Sequence, residues 1–138
     1  MEDKKTKINF IFKFALVFFI LCWAPVFSQN KPDALVLYKN GHYAEAIAVC
    51  EGEIKEAPNN LDSYVVMTWA LLADGQYQRT YDMALAGRKI AQTDPRLIAT
   101  QAEACYYLGK NSEALKLFQD YISYAPNGVR IPSSYYFM

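Results

Sequence analysis

Few residues in this sequence could do chemistry. There is one histidine, His42, and there are three cysteines, Cys22, Cys50 and Cys105. His42 follows Gly41 in a turn-like stretch and has no partner for a ligand or base role, so it reads as a solvated turn residue. Cys50 and Cys105 have no candidate base at a plausible spacing. HExxH, CxxC, a Gly-rich phosphate loop and a Gly-x-Ser-x-Gly elbow are all missing. Glu51, Glu53 and Glu56 could hold a cation, but such a charge run is the usual composition of a solvated helix face. No catalytic centre, bound metal or cofactor is therefore expected. What remains is recognition by large side chains, above all Trp69 and the tyrosines around it.

The composition agrees. The chain has 138 residues, 14 Lys+Arg against 14 Asp+Glu, and 53% apolar residues. That length fits one ordinary domain. Balanced charge argues against nucleic acid, because neutralising phosphates needs a basic excess. The apolar fraction argues against disorder.

These averages join two unlike segments. Residues 1–28 carry the basic start Lys4, Lys5, Lys7 and Lys13, then an uncharged run from Phe14 to Trp23, then Ala24-Pro25-Val26-Phe27-Ser28. This is the layout of a secretory signal peptide cut after Ser28. A spanning helix needs about 20 apolar residues. The alternative is an uncleaved anchor over residues 8–27. A lipoprotein site at Cys22 is disfavoured because Phe19-Ile20-Leu21 lacks a small residue before the cysteine. The expected location is extracytoplasmic, periplasmic or secreted, with membrane contact only through an uncleaved leader.

The second segment repeats. Gly41, Gly75 and Gly109 are 34 residues apart; Tyr43, Tyr77 and Asn111 follow each by two, and Ala46, Thr80 and Ala114 by five. Between these marks the pattern is helical. Tyr64, Met67, Thr68 and Leu71 share one helical face. Asp74-Gly75-Gln76 breaks the chain, and Tyr77, Thr80, Tyr81, Ala84 and Ala91 mark the partner helix. Asp94-Pro95 is a start signal. Ile98, Ala102 and Cys105 then face inward, as do Ala114, Leu117, Phe118 and Tyr121 after the turn. The first unit has a short helix near Asp33–Asn40 and a partner from Tyr43 to Glu56. The units are expected at 29–60, 61–94 and 95–128, with 129–138 starting a further helix or fourth repeat, so that the sequence reads as part of a longer array.

A 34-residue helix–turn–helix period with these residues resembles the tetratricopeptide repeat. Its pattern is W-x2-L-G-x2-Y, then A-x3-F, then P. Ala114-x3-Phe118 and Pro126 match, and Ala102 takes the small slot. Ala34, Ala46-x3-Cys50 and Pro58 match in the first unit. The middle unit has Tyr64 and Met67 in the leading slots, but it departs with Thr80-x3-Ala84 and a late Pro95. Gln101 stands where the third unit should have Leu. The resemblance covers about residues 33–128. It implies an all-α solenoid of antiparallel helix pairs, about three repeats in a right-handed superhelix. Cys50 and Cys105 lie two units apart, beyond the roughly 7 Å that a disulfide spans, so both are expected as free buried thiols.

The resemblance also implies a concave wall lined by the first helix of each unit, a binding surface for a protein or peptide. The side chains expected there are Leu35, Tyr38 and Lys39 in the first unit, Asp62, Val65, Trp69, Leu72 and Ala73 in the second, and Arg96, Ala99, Glu103, Tyr106 and Tyr107 in the third. Trp69 either stands in this groove as a hot spot or packs between units. The wall is more apolar and aromatic than ionic, and a carboxylate clamp is not expected. The resulting expectation is a non-catalytic extracytoplasmic adaptor or scaffold. The alternative is a structural module of an envelope assembly that pairs with its own copies.

Overall fold

Positive φ is the conformation that sets this chain's geometry. Gly41, Gly75 and Gly109 have φ of 81°, 75° and 72°. Each stands just past a helix end, where only a residue without Cβ adopts this conformation cheaply. The same two hydrogen bonds close every turn. Gly75 N–H donates to Leu72 O at 3.1 Å, and Gln76 N–H donates to Leu71 O at 2.9 Å. The pairs Gly41–Tyr38 and His42–Leu37 repeat this at 3.0 Å each, and Gly109–Tyr106 and Lys110–Cys105 at 3.0 and 2.9 Å. These are Schellman closures, and they satisfy carbonyls that a helix end leaves bare. The residue after each glycine also starts the next helix: the His42, Gln76 and Lys110 carbonyls accept from Ala46, Thr80 and Ala114 N–H.

The structure, a computed structural model, describes residues 32–138. The leader expected at residues 1–28, with its alternatives of anchor and lipoprotein, lies outside the described residues. The described helices are α1 (Ala34–Lys39), α2 (Tyr43–Glu56), α3 (Leu61–Ala73), α4 (Tyr77–Arg88), α5 (Pro95–Tyr107), α6 (Asn111–Tyr124) and α7 (Ile131–Phe137). Asp33 caps α1, accepting from Leu35 N–H at 2.8 Å. Asp94 caps α5, accepting from Arg96 N–H at 2.8 Å, with Pro95 in the first turn. Helix α4 ends at Arg88, short of the expected Ala91. Lys89 and Ile90 N–H reach carbonyls only three residues back, and Arg88 Nε holds the next turn through Gln92 O at 3.0 Å.

The first helices α1, α3 and α5 touch one another in succession, and α7 rests on α5 and α6. The second helices α2, α4 and α6 do not approach one another within 8 Å between Cα atoms. They are bridged by long side chains instead: Arg79 to Glu51 at 2.7 Å, and Tyr81 OH to Glu113 at 3.0 Å. Tight contact on one side and a gap on the other bend the stack, with the first helices on the inside.

Two apolar clusters fill the units. Ala34, Ala46, Ile47, Cys50, Met67, Ala70 and Leu71 form one. Ile98, Ala99, Ala102, Cys105, Ala114, Leu117, Phe118 and Tyr121 form the other. The middle unit's departures from the family pattern are buried rather than loose. Thr80 and Ala84 have no exposed surface, and Gly87 is buried below them on α4. Thr80 Oγ1 donates to Gln76 O at 3.0 Å, so its burial leaves no polar orphan. Gln101, in its apolar slot, is also buried and accepts from Arg88 Nη1 at 2.6 Å, which ties α5 to the end of α4.

The small stripe has a sharp consequence. A Cβ on Gly87 would stand 2.7 Å from Leu97 Cδ1 and 3.0 Å from Tyr64 Cβ, and Leu97 has no free surface into which to move. Gly87→Ala should therefore destabilise the chain by about 1–3 kcal/mol in urea unfolding, despite the better helix propensity of alanine. An unchanged or raised midpoint would show that α4 and α5 are not so closely packed.

Cys50 and Cys105 are unbridged and buried. Burial, with Glu53 and Glu51 nearby, pushes the Cys50 thiol up from 9.0 to about 12. Burial and Glu113 raise Cys105 to about 11. Unfolding exposes both to water, where they ionise near 9.0. Their folded pKa is the higher one, so stability holds below about pH 9 and declines as the pH rises toward 11 and 12. A thiol reagent at mildly alkaline pH should label both only on unfolding. Rapid labelling of either in the native chain would contradict this burial.

Candidate functional site

The concave wall is built by α1, α3, α5 and α7. The 34-residue period places equivalent residues side by side along it. Asp62, Arg96 and Arg130 share one register position near the helix starts. Leu35, Trp69, Glu103 and Phe137 share another, and Tyr38, Leu72 and Tyr106 a third. The wall therefore has a charged edge at the helix starts and an aromatic edge at the helix ends.

The charged edge is internally paired. Arg96 Nη1 donates to Asp62 Oδ1 at 2.9 Å, one full period away, and Arg96 Nη2 donates to its neighbour Asp94 at 2.8 Å. Burial pushes the Asp94 carboxyl up, but hydrogen bonds from the Arg96 guanidinium and backbone outweigh it and hold the group below the usual carboxylate range. Arg130 donates to Glu103 across the next junction. Both arginines are thus committed to carboxylates of this chain.

The aromatic edge runs in two stretches. Tyr38 lies against Trp69, with ring centroids 5.9 Å apart, and against Tyr43 at 6.0 Å. Further along, Tyr77 stacks on Tyr107 at 4.5 Å, Tyr107 meets Tyr106 edge-on at 5.6 Å, and Tyr106 meets Phe137 at 4.8 Å. Tyr106 and Tyr107 keep 41% and 49% of their surface exposed. Trp69, Leu72 and Tyr38 are each partly exposed. Trp69 therefore packs across the first unit junction and still keeps part of its surface exposed. Its Nε1 is closed off from solvent and has no hydrogen-bond partner among the described residues.

Two expected wall residues are not on the wall. Val65 and Ala99 are each only 1% exposed. They occupy the same register position one period apart, and the stacking of first helix on first helix covers it. Asp62, Trp69, Leu72, Arg96, Glu103, Tyr106, Tyr107 and Tyr38 stand on α1, α3 and α5, and each keeps part of its surface exposed. Phe137 and Arg130, which were not among the sequence candidates, extend the wall, and Tyr77, at the start of the second helix α4, stacks on Tyr107 at its margin. The period marks the first two: Phe137 follows Glu103 by 34, and Arg130 follows Arg96 by 34.

The other candidates have plain roles. His42 is exposed at the start of α2, with Nδ1 3.2 Å from Glu45 Oε1, a partner the sequence reading had not assigned. Glu51 pairs with Arg79, and Glu53 accepts from Ser63 Oγ at 2.6 Å, linking α2 to α3. Among the described residues, no three His, Cys, Asp or Glu side chains are grouped to hold a metal.

Solved structures share this fold. The second tetratricopeptide domain of human RPAP3, determined with an HSP70 peptide, superposes with a TM-score of 0.68 at 19% identity, covering 73% of this chain and 84% of that one. The Yersinia enterocolitica type III secretion chaperone SycD, in complex with a peptide of the translocator YopD, gives 0.67 at 19% identity, covering 75% and 80%. At such identities the likeness is one of fold. No curated protein matches the sequence. The family profile described as tetratricopeptide repeat matches residues 33–136. With three glycine-closed helix hairpins stacked through their first helices, and a family match over three quarters of its length, the chain belongs to the tetratricopeptide repeat family.

Proposed function

We propose that this chain is a non-catalytic adaptor that holds a protein or peptide segment on its concave wall. The observation that carries this reading is the division of the wall. Its arginines are committed to carboxylates of the same chain, while Trp69, Leu72, Tyr106 and Tyr107 keep apolar surface turned outward. Partly exposed aromatics beside neutralised charge are the composition of an interface centre. That RPAP3 and SycD were solved with peptides supports the choice of ligand class. The preferred segment is apolar and close to neutral. A carboxylate clamp would need cations that are free, and here Arg96 and Arg130 are paired.

We further propose that this work is done outside the cytoplasm, in the periplasm or in a secreted form. The basic start and short apolar run of residues 1–28 support this. A second reading, a structural module that pairs with its own copies, draws on α7. Tyr135 and Tyr136 are 62% and 83% exposed, and no charge falls between Ile131 and Met138. Light scattering separates the two, since the adaptor reading expects a monomer until the partner is added.

Crosslinking in the native cell, with the crosslinked species identified by mass, would name the partner. Trp69→Ala should weaken its capture roughly 30-fold, the scale of a hot-spot truncation. The far-ultraviolet helical signal should stay at the wild-type level. Undiminished capture by a folded Trp69→Ala chain would overturn the groove assignment.

A further inference from the structure

We infer that the indole N–H of Trp69 is a hydrogen-bond donor kept for a neutral carbonyl oxygen of the segment in the groove. This rests on the concave-wall reading and adds the chemistry of one contact to it.

The first support is an accounting of buried polar groups. Thr68, Thr80 and Thr100 hydroxyls donate to carbonyls of their own helices or caps, at 2.8, 3.0 and 2.7 Å. Ser63 donates to Glu53, Gln101 accepts from Arg88, and Ser134 donates to Arg130 O. Trp69 Nε1 is the exception among the described residues: a buried donor with no acceptor. An indole nitrogen can only donate, and a donor shut away from water without a partner costs stability. Exceptions of this kind call for an explanation, and functional sites are where a fold tolerates them.

The second support is the repeat itself. The register position of Trp69 is filled by Leu35, Glu103 and Phe137 in the other units. An aliphatic, a carboxylate and a phenyl ring all serve there. Stacking of the units therefore does not require an indole, and Phe137 shows that an aromatic ring at this position needs no N–H. The nitrogen is surplus to the packing, and the residue that carries it is partly exposed on α3.

The chemistry of the acceptor follows from its surroundings. Leu72 and Ala73, further along the same helix, bring no side-chain polar atom. The wall's arginines are paired with Asp62, Asp94 and Glu103, so neither guanidinium is free to accompany a charged acceptor. A peptide-bond carbonyl flanked by apolar side chains fits; a carboxylate or phosphate does not. The donor is shielded, so the segment must shift a neighbour to reach it. Tyr38 is the ring in contact, tilted 40° at 5.9 Å, and it stands on α1, a helix of six residues. Its ring is the one that would turn aside.

The test uses the whole chain and, as probe, a peptide selected on it from a randomised displayed library. Trp69→Phe keeps a ring and deletes only the donor. It should bind the probe about tenfold more weakly, the worth of one buried hydrogen bond. In proton spectra, the indole N–H resonance that disappears in Trp69→Phe should move downfield when wild type binds the probe. Equal affinity of Trp69→Phe and wild type, with Trp69→Ala still weak, would overturn the donor role and leave the groove reading standing. An indole N–H resonance that does not move when wild type binds the probe would also overturn it. If Trp69→Ala binds as well as wild type, the groove reading itself fails.

Discussion

Gly41, Gly75 and Gly109 each hold a left-handed backbone conformation that closes one helix and aims the next. Each turn makes the same two hydrogen bonds, and each following residue lends its carbonyl to the new helix. Three hairpins of equal geometry result. Because the turns recur every 34 residues, the helices between them present equivalent faces to their neighbours. The inter-unit seam, the concave wall and the pairing of Asp62 with Arg96 one period on all follow from that equality. A side chain at any of the three glycines would strain the hairpin and shift every contact beyond it.

The seam then sets the curvature and divides the labour between faces. First helices meet closely, so the residues between them become small or fully buried, as at Val65 and Ala99. Second helices stay apart and are joined by Arg79–Glu51 and Tyr81–Glu113. The middle unit brings α4 against α3 and α5 by giving up bulk at Thr80, Ala84 and Gly87, and by filling an apolar slot with the Gln101–Arg88 pair. Thus the unit that departs most from the family pattern remains closely packed.

How much of this was legible in the sequence varied with the range of the interaction. The turns, the caps at Asp33 and Asp94, and the inward faces of α5 and α6 depend on residues close in the chain, and their types announce them. The family and the solenoid follow from the period. The end of α4 is not legible at Ala91 because the last turn is held by Arg88 reaching Gln92. Val65 and Ala99 were assigned to the groove because a helical wheel shows which residues share a stripe, not how near the next helix comes. Gln101 stood out as an oddity, but its partner lies 13 residues away on another helix. Trp69 was singled out by its type and slot, yet only the folded seam reveals that it both touches Tyr38 and leaves its nitrogen without an acceptor.

The proposed seat of the partner is the inner wall along α3 and α5. Hydrogen–deuterium exchange on the whole chain, with and without the partner recovered by crosslinking, tests this most directly. Slower exchange is expected only at Leu61–Ala73, Pro95–Tyr107 and the neighbouring α1, with α4 and α6 unchanged. Protection concentrated on Tyr77–Arg88 and Asn111–Tyr124 would place the partner on the outer face and contradict it.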